Sequence, residues 1–92
     1  MDNGDIKANP VLSQAITEVL DNQLQSNDPP ETKQTYERLL GEGIKKAEAR
    51  RLIGAVIAGE IYNVMKSQKP FDRERFVRRL HGLPDTSWLD EE

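Results

Sequence analysis

Apolar residues recur along this chain at intervals of three and four, and no stretch alternates long enough to suggest a strand. In 9-NPVLSQAITEVLDNQLQSN-27, Leu12, Ala15, Ile16, Val19, Leu20 and Leu24 share one side of a helical projection, with Ser13, Thr17, Glu18 and Asp21 outside it. Asn9 suits the cap of this helix and Pro10 its first position, where a missing N–H has no partner to lose. Tyr36, Leu39 and Leu40 form a second apolar set that stops before Gly41 and Gly43. The broadest stripe lies in 46-KAEARRLIGAVIAGEIYNVMKS-67, through Ala49, Leu52, Ile53, Val56, Ile57, Ile61 and Val64. After 69-KPFD-72, Asp72 is read as the cap of a fourth helix with Phe76, Val77 and Leu80 inward and Gly82–Leu83–Pro84 as its stop. These patterns predict an all-α, compact four-helix domain with a long central third helix.

The stretch 28-DPPE-31 falls where the first helix must end and the second begin. Asp28 is read as a cap, Pro29 as the first helical residue and Glu31 as the third, its carboxylate reaching back to the Asp28 N–H in a capping box. Both acids would then stand at the positive end of the helix dipole. The third helix is small and uncharged opposite its stripe, at Gly54, Ala55, Ala58 and Gly59 beside Tyr62. A helix apolar on one face and small on the other is expected to be surrounded. Each glycine costs about 1 kcal/mol of helix propensity relative to alanine. Close approach by a neighbouring helix, or by a second copy of the chain, would explain them. The organisation expected is a disordered N-terminal segment over 1–8, a helical domain over 9–84 and an acidic tail over 85–92.

Composition narrows the chemistry. Apolar residues make up 36% of the chain and charged residues 32%, a balance that suits narrow apolar stripes and solvated outer faces. Cysteine is absent, which excludes disulfides, thiolate metal sites, iron–sulfur clusters and cysteine nucleophiles. The acidic start MDNGDIKANP does not resemble a signal peptide, and no apolar run approaches a membrane span. A soluble cytoplasmic protein with no membrane partner is therefore expected. The net charge of −3 conceals an acidic–basic–acidic order: eight acids and three bases over 1–44, four acids and ten bases over 45–84, then four acids in the tail. Such asymmetry suits an anionic partner or attraction between the halves, and the acidic whole favours the second.

Few residues offer reactive chemistry. His81 is the one histidine; it sits in the last turn of the fourth helix, where positive charge suits the dipole. Acid–base work needs positioned groups with a partner in reach, so an enzyme would require His81 and Glu60 to converge in a pocket. The stretch 41-GEG-43 lacks the lysine and the preceding strand of a phosphate loop. No catalytic residue, metal ligand or cofactor is assigned. Glu60 falls in the middle of the third helix's stripe, among Ile53, Val56, Ile57 and Val64. A lone carboxylate there is costly unless paired. It faces either a ligand or metal, or a buried ion pair or hydrogen bond with Arg38, Tyr36, Arg73 or Arg50, and the second reading is preferred.

Arg75, Arg78 and Arg79 are read as one outer basic face of the fourth helix, while Lys45, Lys46, Arg50 and Arg51 crowd the start of the third. Basic faces meet phosphates, but the interleaved aromatics and base-reading side chains of nucleic-acid modules are missing. A solvated face is the simpler reading. Lys45 and Lys46 oppose the dipole of the helix they begin. Trp88–Leu89, within the acidic tail, either docks back on the body to fasten the fourth helix or serves as an anchor for a partner.

In combination, 9-NP-10, 23-QL-24, 28-DPPETKQTYERL-39, Gly43, Ala49 and 60-EIY-62 resemble a family of short bacterial proteins catalogued only as a domain of unknown function. The resemblance runs from Asn9 to Leu83 and implies a compact helical domain without an assigned activity. It also implies that some relatives place paired histidines four apart on the first and third helices. The corresponding positions here are Ser13, Thr17, Ala47 and Arg51. None is a histidine and Arg51 repels a cation, so no functional residue carries over. The expected function is a non-enzymatic interaction or self-association module, using the small-residue face of the third helix, the basic face of the fourth, or the Trp88 tail. The rival is an anion or nucleic-acid binder that uses Arg75, Arg78, Arg79 and Lys46.

Overall fold

A computed structural model describes residues 10–91, with side chains from Ser13 to Leu89. Four α-helices account for most of it: α1 Pro10–Ser26, α2 Pro30–Gly41, α3 Lys46–Ser67 and α4 Arg73–Gly82, followed by a short 3-10 helix, Ser87–Glu91. No strand occurs among the described residues, and no helix there is long and apolar enough to cross a membrane. The expected segment 1–8 and the Asn9 cap lie outside the described residues.

The double proline ends one helix and starts the next, but its first turn differs from the expected capping box. Pro29 is extended, with φ −76° and ψ 149°, and itself holds the cap position without any side-chain cap bond. The cause is Pro30: a proline ring crowds the residue before it out of the helical region. Helix α2 therefore begins one residue later than expected, and Asp28 stands too early to cap it. Glu31 turns instead to Arg73 of α4, 3.1 Å away. At the other end of α2, Gly43 takes φ +90° and Ile44 N–H donates to Leu39 O at 3.1 Å, a left-handed closure that glycine adopts at little cost. Asp72 caps α4 as its position suggests, accepting from the Arg75 N–H at 3.0 Å.

Helix α3 is the longest and packs against the other three. Helix α2 does the same, so the middle of the domain is an α2–α3 pair with α1 and α4 in contact with both. Leu20, Leu39, Ala49, Leu52, Ile53, Val56, Ile57, Phe76, Leu80 and Leu83 form the buried core. The stripe of α3 loosens toward its C-terminus, where Ile61 and Val64 are only half-buried. Ala15, expected inside, is exposed, and Val77 is half-buried. Two threonines of α2 join the core in their place. Thr32 is fully buried and donates its hydroxyl to Gln23 Oε1 at 2.8 Å, tying α2 to α1, and Thr35 is buried beside it.

The charge pattern is in part internal. Arg50 of α3 bonds Asp21 of α1 at 2.7 Å, so this pair and Arg73–Glu31 both join a base of the second half to an acid of the first. Arg38 pairs with Glu42 at 2.8 Å and donates to the carbonyl of Leu80 at 3.1 Å. That second bond adds a donor to a carbonyl in the last turn of α4 that also accepts from the Leu83 N–H at 3.2 Å. These pairs are largely solvated, and each contributes at most about 1 kcal/mol.

Candidate functional site

The buried charge cluster centres on Glu60, which is only 3% exposed. Its partner is Arg75 of α4, which grips the carboxylate with both prongs, Nε to Oε2 at 2.9 Å and Nη2 to Oε1 at 3.0 Å. Arg79 adds a second cation at 3.6 Å. Glu60 is thus buried and ion-paired as preferred from the sequence, but none of Arg38, Tyr36, Arg73 or Arg50 is the partner. Arg75, Arg78 and Arg79 do not form one outer face. At about 100° per residue, Arg75 and Arg79 flank the Phe76–Leu80 stripe on the side where α3 supplies Glu60. Only Arg78 points fully outward, and Arg79 is just 13% exposed.

Beside this cluster lies an apolar groove of about 390 Å³, bounded by α1, the C-terminal half of α3 and the α3–α4 connection. Val19, Ile57, Ile61 and Val64 line its interior, with Phe76 behind them. Met65 and Phe71 stand at its edge, 72% and 51% exposed. The Phe71 ring leans on that of Phe76, with centroids 5.5 Å apart and planes tilted by 59°. The polar lining consists of Gln23 and the Glu60 carboxylate. Sequence reading passed over Met65 and Phe71. The available signal was two large apolar residues placed beyond the inward stripe, one of them inside a helix breaker.

A second cleft of about 270 Å³ separates α1 from α3. Ser13, Thr17, Ala47 and Arg51 are among the residues that line it. Their side chains supply no metal donor set, and Arg51 hydrogen-bonds Glu48, which raises its pKa further. Among the described residues, no three His, Cys, Asp or Glu side chains could hold a metal ion together. His81 is exposed and lines a third, shallow cleft with Arg73, Glu74 and Arg78. Glu60 and His81 therefore open on different surfaces and do not form an acid–base pair. Lys46 is exposed at the uncapped start of α3, apart from the α4 arginines.

The tail docks back. Trp88 is partly buried against the core, lies over Gly59 of α3, and carries the Arg79 guanidinium 4.4 Å from its ring centroid. The tail's tether is shaped by Asp85, which accepts from the Ser87 N–H at 2.9 Å. That bond, with a second from the Ser87 side chain, holds the Asp85 carboxyl below the usual carboxylate range.

Comparison with family models, with curated proteins and with solved structures finds no match. The functional reading rests on geometry.

Proposed function

We propose that this chain is a non-catalytic helical interaction module that takes an apolar segment of a protein partner, or of a second copy, into the groove bounded by α1 and α3. The supporting observation is the pairing of a concave apolar surface with two exposed large side chains, Met65 and Phe71, at its edge. Adjacent apolar groups left in water around a concavity are characteristic of interaction sites. The resemblance to the bacterial family and a cytoplasmic setting belong to the same reading. The anion-binding rival has less behind it, because Arg75 and Arg79 hold Glu60 and Arg73 holds Glu31.

A photocrosslinking residue at Met65 in cells tests this reading, with the exposed Gln25 on α1 as control. One discrete adduct is expected at position 65, weakened several-fold by Phe71→Glu. Equal labelling at both positions, or indifference to Phe71→Glu, would reject the groove as the contact surface.

A further inference from the structure

The C-terminal turn goes beyond that reading. The short-range hydrogen bonds of residues 84–91 include Asp85 N–H to Gly82 O at 3.0 Å, Ser87 N–H to Asp85 Oδ1 at 2.9 Å, and Leu89 N–H to Thr86 O at 2.9 Å. These three stay within the segment or reach only the end of α4. Among the described side chains of the segment, Trp88 is the one packed against the core. The seat for that side chain is specific. A Cβ built on Gly59 would meet the indole Cζ3 at 3.1 Å, tighter than nine in ten real Cβ contacts, so any larger residue in mid-helix would push the ring outward by a few tenths of an ångström. A face of the ring is covered by Arg79, whose Nη1 lies 3.6 Å from Glu60. Trp88 is thereby linked through one guanidinium to the buried charge cluster.

The seat is also incomplete. The indole Nε1 is buried and has no acceptor among the described residues. Leaving a buried donor unmade costs about as much as burying a large apolar side chain gains. Two opposed contributions of similar size leave the docked tail close to balance, unlike the core it covers.

We propose that residues 84–91 form a strap that lifts as a unit before the bundle unfolds, and that Arg79 couples its closure to the Glu60 cluster. Lifting uncovers α3 at Gly59 and presents Trp88 to solvent beside Leu89, which is already 47% exposed. Strength in the Glu60–Arg79 contact keeps the guanidinium in place as the upper wall of the seat. Weakening that contact loosens the strap without touching any residue in it.

Trp88 is the only tryptophan, so the intact chain reports directly. Heating should red-shift Trp88 emission at a temperature clearly below that at which far-UV circular dichroism loses helix. Coincidence of the two transitions would overturn the proposal, since Trp88 would then belong to the cooperative core. At room temperature, Gly59→Ala should raise acrylamide quenching of Trp88 several-fold while helical content is kept. Glu60→Gln should raise it to a lesser degree. Unchanged quenching in Gly59→Ala would reject the seat, and unchanged quenching in a folded Glu60→Gln protein would reject the coupling.

Discussion

Replacing Arg75 by methionine probes the one charged residue that is buried among the described residues, Glu60. The substitution keeps a long apolar stem but leaves the Glu60 carboxylate, 3% exposed, without its two-pronged partner. Removing one member of a fully buried pair costs about 3–5 kcal/mol. Two features lower that figure here. The Arg75 side chain is 28% exposed, so water can follow it, and Arg79 remains 3.6 Å from the carboxylate. A loss of about 2–3 kcal/mol is expected. In a domain of this length that lowers the melting temperature by roughly 8–20 °C. Urea unfolding followed by far-UV circular dichroism measures it, with the slope of the transition as a check on two-state behaviour. Adding Glu60→Gln to Arg75→Met removes the stranded charge, so the double variant should be less destabilised than the sum of the singles by about 1–2 kcal/mol. If Arg75→Met stays within about 0.5 kcal/mol of the parent and the two changes add, Glu60 is solvated and the buried cluster does not exist as described.

The remaining expectations concern backbone positions. Gly54→Ala should stabilise by about 0.5–1 kcal/mol, because the new methyl would lie 3.5 Å from Ile16 Cγ2, an ordinary contact, while the helix gains propensity; a lower melting temperature would show that α1 lies closer to α3 than this. Gly43→Ala should cost about 1 kcal/mol or more, since φ +90° strains any residue with a Cβ; an unchanged urea midpoint would contradict the left-handed closure of α2. Asp72→Ala should cost about 1 kcal/mol through the lost cap on the Arg75 N–H, and amide exchange in the first turn of α4 should quicken with it. Unaltered exchange there would place the start of α4 elsewhere.

Much of the fold was legible because helical periodicity survives in a short chain. The bounds of α3, Lys46–Ser67, the cap at Asp72 and the burial of Glu60 all follow from spacing along a single helix. What was not legible depends on how helices cross. Glu60 has Arg75 as partner rather than Arg38 or Arg73 because α4 presents one flank of its stripe to α3, and no pattern within either helix specifies that flank. The same flank removes Arg75 and Arg79 from the basic face that the sequence suggested. Thr32 and Thr35 were missed for a different reason: a threonine counts as polar in a projection, yet its methyl packs as well as valine's once the hydroxyl has a partner, as Thr32 has in Gln23. The early start expected for α2 failed on a local rule, since Pro30 constrains Pro29 more strongly than Asp28 attracts a helix end. The groove at Met65 and Phe71 emerges only from three elements meeting, and no single segment announces it.

Native-state amide hydrogen exchange, resolved by residue, addresses the α2–α3 pair, whose α3 lines the groove and seats the strap. The slowest amides should be those of Ile53, Val56 and Ile57 in α3 and Leu39 in α2, opening only with global unfolding, while amides of the strap exchange far faster. Exchange at Ile53 and Ile57 as rapid as at Ser87 and Leu89 would contradict the account.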